Sequence, residues 1–479
     1  MKRLLVAAAV VACAATAMLQ AAPAAKPPRK APPPPAGPDP ARRSFERRAV
    51  EAAIWGMPAV SMAAFRKSLP GIGAEANQVI YFSKPLEPRH ELLTANNNTP
   101  YVFSVLDTRS GPVVLEVPPA GDKVVLFGSA IDSWEVPLVD VGPTGDDAGQ
   151  GGKYLFLPPG YDQEVPEGYL VVPSTTYFVH VALRPIIAQG GKLEDAVVTS
   201  KTLKVYPLVQ AANPETRYVD AYPKPWKTLP VYDVTFFRDL AQVVKDEPAQ
   251  EKDAAMLGLL ASIGIEKGKP FDPTGETARG FDQAAREAYA AMQDYFITMG
   301  KGQLQVWPDR QWGGLNLTQK EGFTFVQNGI LRVDERAGGF AFLGTWLPKK
   351  LGAASAYLTA VRDSTGKPLS GQKSYRLQVP ADVPVRDFWS VIAYSLKTKS
   401  MIPNPIRAGL SSYDKPRMKM NADGSVDLYF GPRPPAGKET NWIPTDEDFF
   451  LMFRLYGPAE GFAESWKLPD VELMNGPQK

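Results

Sequence analysis

The feature of this 479-residue chain that most limits its fold is a short run near the C-terminus, Phe449–Tyr456. Residues 449, 451, 453 and 455 are apolar, as expected for one buried face of a strand, but the opposite face is also largely apolar and aromatic. A strand of this kind is usually covered on both sides. Arg454 lies within the run, and a guanidinium placed there needs partners that offset its desolvation. The run therefore predicts a central strand that carries one buried charge.

The rest of the chain indicates short strands with one helical region between them. The 47 Pro and 40 Gly residues favour frequent turns over long helices. Strand patterns occupy much of 78–187, and strands are expected to resume at 323–347 and to continue to the C-terminus. Helical spacing occurs at 192–206, 234–265 and 275–298, and also at 41–57, where Pro58 is expected to end or kink the helix. The order strands, helices, strands predicts two β domains joined by a helical segment, with boundaries at 41–190, 191–322 and 323–479.

The N-terminus predicts export. A basic Met1-Lys2-Arg3 precedes an apolar run, and small residues follow at Ala21–Ala25, which is typical of a secretory signal peptide over residues 1–25. A Pro-rich linker at 26–40 follows it. The expected location is the periplasm or the exterior after cleavage near Ala21–Ala25. An alternative is a lipoprotein anchored through Cys13, the only cysteine.

Composition limits the partners and cofactors. A formal net charge of +2 does not favour nucleic acid, and no second apolar run is long enough to span a membrane. The chain has two histidines and no Gly-rich phosphate loop, dinucleotide fingerprint or serine nucleophile elbow. We therefore expect no cofactor and no metal, although calcium on Asp107 and Asp132 is an alternative. A homo-oligomer is compatible with the sequence.

The best N-terminal site candidate is the loop from Thr94 to Tyr101. Asn96, Asn97 and Asn98 offer amide donors and acceptors, and Tyr101 adds an aromatic ring, a combination that suits a polyhydroxylated ligand. The alternative is an Asn-stabilised turn, because Asn readily bonds its own backbone.

Further candidates lie on predicted strands and loops. Alternation places His180 and Arg184 on one strand face, either as an anion-binding or acid–base pair or as a structural polar pair. Near the C-terminus, an arginine with amide and aromatic neighbours suits a carboxylate or a sugar, unless these residues only lock a loop. The candidates of this C-terminal constellation are Asn441, Trp442, Arg454 and Tyr456, and the carboxylates considered for acid–base catalysis are Asp107, Asp132 and Glu135.

Two groups of motifs along the chain resemble known domain families. The N-terminal group includes Asn96–Tyr101, Gly111–Leu115, Gly151–Leu155 and Lys204–Leu208, and the C-terminal group includes Gly366–Gly371, Phe388–Val391, Asn441–Ile443 and Arg454–Pro458. On these motifs the N-terminal part resembles family 1254 and the C-terminal part resembles its companion family 1214, both domain families of unknown function. Family 1254 usually has an aspartate where this chain has Asn98. The resemblance implies two jelly-roll-like β-sandwich domains joined by helices and no settled reaction.

These observations leave two functional hypotheses. The first is an exported cell-envelope protein that binds or hydrolyses a polar ligand, such as a glycan, in a cleft between the two β domains, where ligand pockets often form. The second is a non-enzymatic envelope or assembly protein in which the same residues are purely architectural. Whether the protein is an enzyme stays open at the level of sequence.

Overall fold

The computed structural model describes residues 39–188, 190–298, 302, 304–314, 324–343, 348–349, 355–404 and 406–474. The predicted signal peptide, Cys13 and nearly all of the Pro-rich linker lie outside the described residues. All contacts discussed below belong to one compact unit, Ser44–Lys479.

The described part of the chain contains eight α-helices. None of them is both long and apolar enough to cross a membrane. They are α1 (Pro40–Lys67), α2 (Leu69–Ile72), α3 (Leu193–Ser200), α4 (Val234–Asp246), α5 (Ala254–Ala261), α6 (Gly275–Ile297), α7 (Val333–Leu343) and α8 (Phe462–Ser465).

Strands make up most of the remaining regular structure. In the first half they are β1 (Val79–Tyr81), β2 (His90–Glu91), β3 (Val102–Asp107), β4 (Val113–Val117), β5 (Val124–Asp132), β6 (Pro137–Val141), β7 (Gly152–Leu157), β8 (Leu170–Pro173), β9 (Phe178–Ile187), β10 (Lys204–Pro207), β11 (Tyr218–Asp220) and β12 (Trp226–Lys227). In the second half they are β13 (Trp312–Gly313), β14 (Val326–Gln327), β15 (Ile330–Leu331), β16 (Ser355–Ala360), β17 (Tyr375–Val379), β18 (Val385–Ser395), β19 (Gly409–Ser411), β20 (Val426–Gly431), β21 (Trp442–Pro444), β22 (Phe449–Pro458) and β23 (Glu472–Leu473).

The N-terminal lobe is a pair of facing sheets. One has six strands in the order β11-β1-β3-β9-β5-β6, and the other has four in the order β10-β4-β7-β8. Leu106 and Val181 of the first sheet share a buried apolar cluster with Leu115 and Phe156 of the second. Alternation along β9 puts the neighbouring side chains, such as Phe178 and Ala182, on the other face, in the main core of the protein.

The C-terminal lobe is built in the same way. Its five-stranded sheet has the order β13-β16-β22-β18-β19, and its four-stranded sheet has the order β21-β20-β17-β23. Phe449 of the first sheet contacts the rings of Tyr375 and Phe430 in the second, at centroid distances of 5.8 and 6.2 Å. Strand β22 is central, and every residue from Phe449 to Gly457 is buried. The prediction of a strand covered on both faces is confirmed.

The fold class predicted from sequence is confirmed as mainly β with a helical segment. The helices also contribute to the main core. Phe237 on α4, for example, contacts Phe281 on α6, and their ring centroids lie 4.5 Å apart. Helix α1 packs on the N-terminal lobe through Phe65, which contacts Phe103 of β3.

Two local predictions are wrong, and of the two alternatives for Pro58, an end or a kink of the helix, the first is excluded. Pro58 does not end α1, although a proline inside a helix costs about 3 kcal/mol, because residues 52–65 are buried and their packing outweighs that cost. Residues 204–207 form strand β10 rather than helix, since they pair with β4. Residues 333–343 form helix α7 within the region predicted as strand.

Candidate functional site

The loop Thr94–Asn98 lies between the two lobes and is held by its own side chains. The backbone N–H of Asn96 donates to Tyr101 Oη over 3.0 Å, and the backbone N–H of Asn98 donates to Asn96 Oδ1 over 2.9 Å. The Asn96 amide therefore forms the kind of local turn that asparagine favours. Its Nδ2 also donates to Tyr456 Oη, 2.5 Å away, which ties the N-terminal loop to the C-terminal sheet.

The C-terminal sheet contributes two further donors to the loop. Arg454 Nη2 donates to the carbonyl of Thr94 over 2.6 Å, and Tyr394 Oη donates to the carbonyl of Ala95 over 2.6 Å. Strand register brings two further polar side chains to Arg454, because Arg454 on β22 lies opposite Ser390 on β18 and Tyr357 on β16. The side chains of directly paired residues project from the same face of a sheet.

Arg184 reaches the same place from strand β9 of the N-terminal lobe. Its Nη1 donates to Tyr456 Oη over 3.0 Å, and its guanidinium carbon lies 4.6 Å from the centroid of the Tyr101 ring. The Tyr456 ring stacks on Phe388, with centroids 4.1 Å apart. The arginine–tyrosine cluster, as we call Tyr101, Arg184, Tyr357, Tyr394, Arg454 and Tyr456, thus joins both lobes around the Asn96 loop.

The arginine–tyrosine cluster contains buried polar atoms that no described residue satisfies. Arg454 is 1% exposed, and its Nε and Nη1 have no hydrogen-bond partner among the described residues. The neighbouring Ser390 Oγ is also buried without a hydrogen-bond partner among the described residues. Each such group costs about 1–3 kcal/mol if it stays unpaired, so their concentration at one place indicates a site shaped for a ligand. The loop adds further buried oxygen atoms without described partners, namely Asn97 Oδ1, Asn98 Oδ1 and Thr99 Oγ1.

The electrostatics of the arginine–tyrosine cluster are those of an anion site. Neither Arg184 nor Arg454 forms an ion pair with a carboxylate in the described part of the chain, and the groups that act on both guanidinium charges are tyrosines. Burial opposes the charge of both arginines, but the tyrosines outweigh it and raise both pKa values, so the two positive charges persist. Two fixed cations without a counter-ion attract an anionic group.

Asn441 and Trp442, predicted to join Arg454 and Tyr456, lie elsewhere in the C-terminal lobe. The Asn441 amide accepts from the backbone N–H of Lys419 and donates to the carbonyls of Lys419 and Asp427 over 2.9 Å. The Trp442 indole donates to the carbonyl of Gly431 over 2.8 Å. These bonds tie Asn441 and Trp442 to strand β20 and to the segment before it, so the structure gives both residues an architectural position.

Three of the acid–base candidates of the N-terminal lobe have their contacts outside the arginine–tyrosine cluster. Asp107 forms an exposed ion pair with Arg109 at 2.6 Å. Asp132 Oδ1 accepts from the backbone N–H groups of Trp134 and Val136 at 2.8 Å and organises that turn. His180 is 1% exposed, and burial lowers its pKa to about 3, so it stays neutral in the core.

A second buried ionisable group lies in the turn between β5 and β6. Glu135 is 1% exposed, has a backbone φ of 61°, and neither carboxyl oxygen has a partner among the described residues. Arg336 nearby donates to the carbonyls of Trp55 and Trp134 instead, at 3.2 Å each. Burial raises the pKa of Glu135 well above its ordinary value, despite the opposing charge of Arg336.

Glu135→Gln is expected to change how stability depends on pH. Because the folded-state pKa is raised, the wild-type protein loses stability as pH rises from about 4.5 through that pKa, where burial opposes ionisation. The glutamine variant lacks this loss, so its free energy of unfolding should exceed that of the wild type increasingly with pH. Urea unfolding at a series of pH values measures the difference, and parallel curves for the two proteins would contradict a buried, protonated Glu135.

Sequence reasoning missed Tyr357, Tyr394 and Ser390 as members of the site. Tyr357 lies on β16, and Ser390 and Tyr394 lie on β18. Both strands pair with β22, and no local sequence pattern indicates which strands pair. Trp307 and Trp312 are core residues whose indoles donate to the carbonyls of Ala463 and Pro469. Among the residues that the structure describes, no group of His, Cys, Asp or Glu is arranged to hold a metal ion.

The family comparison agrees with the two-lobed architecture. Residues 76–207 match the family described as "Protein of unknown function (DUF1254)", and residues 354–460 match "Protein of unknown function (DUF1214)". The chain belongs to the paired DUF1254–DUF1214 proteins. Arg184 falls in the DUF1254 segment, whereas Tyr357 and Arg454 fall in the DUF1214 segment, so the arginine–tyrosine cluster is assembled from both. No curated protein matches this chain.

A solved structure has a similar fold. The VPA0106 protein from Vibrio parahaemolyticus is 19% identical, covers 90% of this chain and 100% of its own, and superposes with a TM-score of 0.54. An uncharacterised protein from Burkholderia cenocepacia is 12% identical over 90% of this chain and 94% of its own, with a TM-score of 0.41.

Proposed function

We propose that this protein binds a small carboxylate ligand between its two lobes, with Arg184 and Arg454 as the charged contacts. The observation that carries the proposal is the pair of unfilled guanidinium nitrogens on Arg454, a side chain that is 1% exposed. Burying a charge is expensive unless it is paired and fully hydrogen-bonded. A bound carboxylate would supply both the opposite charge and the missing acceptors.

The surrounding side chains favour a carboxylate that also carries hydroxyl groups, such as an acidic sugar unit. The planar guanidinium fork matches the two oxygens of a carboxylate. Four side-chain oxygens can accept hydrogen bonds from hydroxyl groups of the ligand, because they have no partner among the described residues. They belong to Asn97, Asn98, Thr99 and Ser390. Four residues of the loop and the cluster are only partly buried, namely Asn97, Asn98, Arg184 and Tyr357. Their exposure supports entry of a ligand from solvent past these side chains.

Export to the cell envelope is part of the same proposal. It rests on the basic and apolar pattern of residues 1–25, which is typical of a signal peptide. The competing hypothesis is an architectural role, in which Tyr394, Arg454 and Tyr456 serve only to clamp the Asn96 loop. That hypothesis predicts no ligand at all.

The test is a thermal-shift and calorimetric screen of residues 26–479 against galacturonate, glucuronate, malonate, phosphate and neutral sugars. A ligand at 100 times its dissociation constant stabilises a protein by about 2.7 kcal/mol. We expect a shift with the sugar carboxylates and none with the neutral sugars. A screen in which no carboxylate binds would overturn the proposal in favour of the architectural role.

Arg184→Gln is expected to weaken carboxylate binding by roughly tenfold or more, because a hydrogen bond to a charged group contributes about 1.5–3 kcal/mol. The matched control is Arg376→Gln, which removes an arginine from a surface ion pair with Glu472 in the four-stranded sheet of the C-terminal lobe. Binding should be unchanged in the control. Equal losses in the two variants would mean that general surface charge, rather than this site, attracts the ligand.

A further inference from the structure

Tyr357 is the tyrosine of the cluster that is partly open to solvent, and the charges of both arginines act on it. It lies opposite Arg454 in the β16–β22 register, and the Arg454 guanidinium carbon is 5.5 Å from the centroid of its ring. Arg184, from the other lobe, acts on the Tyr357 hydroxyl, and the Ser355 side chain forms a hydrogen bond with it. Tyr101, Tyr394 and Tyr456, by contrast, are all buried.

Burial is the largest single influence on the pKa of this hydroxyl, but the two positive charges and the Ser355 hydrogen bond together outweigh it. Burial alone would raise the pKa of Tyr357, but Arg184 and Arg454 together, with Ser355, hold it below the ordinary value of 10. Burial raises the pKa of Tyr456 and outweighs the same two arginines. Two neighbouring tyrosines whose pKa values are moved apart are suited to opposite roles, one as a base and the other as an acid.

Tyr456 has the hydrogen-bond pattern of a proton donor. Its Oη accepts from Asn96 Nδ2 and from Arg184 Nη1, and both bonds use the oxygen lone pairs. The hydroxyl hydrogen has no acceptor among the described residues, so it is available to a ligand. The arrangement thus holds a phenolic oxygen suited to take a proton and a second one suited to give a proton, beside the same two guanidinium groups.

We propose that Tyr357 is a general base that takes a proton from the carbon next to the ligand's carboxylate, and that Tyr456 is the corresponding acid. This inference rests on the proposed function, because Arg184 and Arg454 must hold that carboxylate. The substrate class is a carboxylate with a hydrogen on its α-carbon and an oxygen substituent on its β-carbon, as in a uronate unit of a glycan.

The step balances without an oxidant, a reductant or a further reactant. The C–H bond breaks, an O–H bond forms on the Tyr357 phenolate, and the electron pair moves into the carboxylate as an enediolate. Arg184 and Arg454 stabilise the additional negative charge, as preorganised cations do at sites of developing charge. The pair then forms a carbon–carbon double bond while the β-carbon–oxygen bond breaks, and the departing oxygen receives the proton of Tyr456.

The first test needs no ligand and therefore separates this inference from the proposed function. Ultraviolet difference titration of the full mature chain, from neutral to alkaline pH, counts tyrosines as they ionise. We expect one of the 18 tyrosines to ionise below the ordinary pKa of 10 in the wild type, and this component to be absent from Tyr357→Phe. The control Tyr413→Phe, at a residue 57% exposed, should retain it. Identical curves for the wild type and Tyr357→Phe would overturn the base assignment.

Arg184→Gln gives a second, independent readout of the same group. Removing one of the two cations should return the low component of the titration toward the ordinary tyrosine pKa, without removing it. A component that is lost in Tyr357→Phe but does not move in Arg184→Gln would show that the arginine pair does not control Tyr357, and would overturn the mechanism.

The chemical test uses galacturonate in deuterated water. Exchange of the hydrogen on the carbon next to the carboxylate, followed by NMR, should occur with the wild type and fall at least about 100-fold in Tyr357→Phe, the usual contribution of a general base. Calorimetry should show that the variant still binds galacturonate. Bound galacturonate that does not exchange with the wild type, or exchanges equally with both proteins, would overturn the inference. Failure of galacturonate to bind would instead count against the proposed function, and the titration would still decide the state of Tyr357.

Discussion

Replacing Arg454 with methionine should abolish carboxylate binding while leaving the empty protein as stable as the wild type or more stable. The guanidinium is buried with two nitrogens unsatisfied in the described part of the chain, and its Nη2 donates to the carbonyl of Thr94. Exchange of buried charged groups for apolar side chains of similar volume is often neutral or stabilising, by about 1–4 kcal/mol. Tyr394 Oη lies 3.3 Å from the same carbonyl and can retain it as an acceptor.

An architectural role for Arg454 predicts the opposite sign. If its purpose is to clamp the Asn96 loop, Arg454→Met should destabilise the fold, as breaking a buried polar network does. Urea unfolding of the empty protein and calorimetry with the best carboxylate of the screen decide between the two. Arg336→Met is the matched control for removal of a buried arginine. It frees two carbonyls and removes the positive charge beside Glu135, so we expect it to destabilise the protein.

Lys399→Met is expected to remove a large pH dependence of stability on the alkaline side of neutrality. Lys399 is 1% exposed, has a backbone φ of 58°, and its Nζ donates to Tyr289 Oη and Gln293 Oε1 at 2.6 and 2.9 Å. No carboxylate in the described residues pairs with it, and burial lowers its pKa from 10.5 to about 7. A difference of that size corresponds to roughly 5 kcal/mol.

The sign follows from the lowered folded-state pKa of Lys399. Between about pH 7 and 10.5 the unfolded chain binds the proton that the folded protein has released, so this lysine makes stability rise with pH. The contribution is lost as pH falls toward 7. The wild type and Lys399→Met should therefore diverge across this window, whereas the exposed neighbour Lys397, changed to methionine, should leave the slope of the wild type unchanged. A wild-type slope retained in Lys399→Met would mean that Lys399 is protonated throughout.

Lys399 contacts aromatic side chains of two helices, α6 and α7. Its ammonium group lies 4.7 Å from the Tyr289 ring centroid and 4.4 Å from that of Phe342, and it links β18 and the loop after it to helix α6. The backbone carbonyl of Lys399 also accepts from the N–H of Thr94 over 2.8 Å. Through this backbone hydrogen bond Lys399 supports the start of the Asn96 loop.

The sequence alone determined the features that depend on local periodicity. Alternation identified β22 as a strand covered on both faces and singled out Arg454 as its unusual residue, because a charge among apolar neighbours needs an explanation wherever it lies. Helical spacing over 275–298 predicted α6, which spans Gly275–Ile297. The run of three asparagines left a ligand site and an Asn-stabilised turn open, and Asn96 does form a turn through the N–H of Asn98.

Local reasoning failed where tertiary packing outweighs local preference. Helix α1 continues through Pro58 because its buried face more than offsets the missing hydrogen bond. Asn441 and Trp442 stand near Arg454 in sequence, yet they bond within the four-stranded sheet, while Arg454 lies in the five-stranded one. Proximity along the chain carries little information about proximity between sheets, since a turn can send consecutive strands into different layers.

Only the tertiary structure decided which side chains meet to form the arginine–tyrosine cluster. Asn96 and Tyr456 are 360 residues apart, and so are Thr94 and Arg454. Strand register places Tyr357 and Ser390 beside Arg454, and the packing of the two lobes places Arg184 beside them. Period-2 alternation determines which face of a strand a residue occupies, but not which strand or lobe lies opposite. The physical reason is that the packing of the whole core determines which strands pair and which lobes face each other. Arg454 could therefore be identified from the sequence, but its neighbours could be identified only from the tertiary structure.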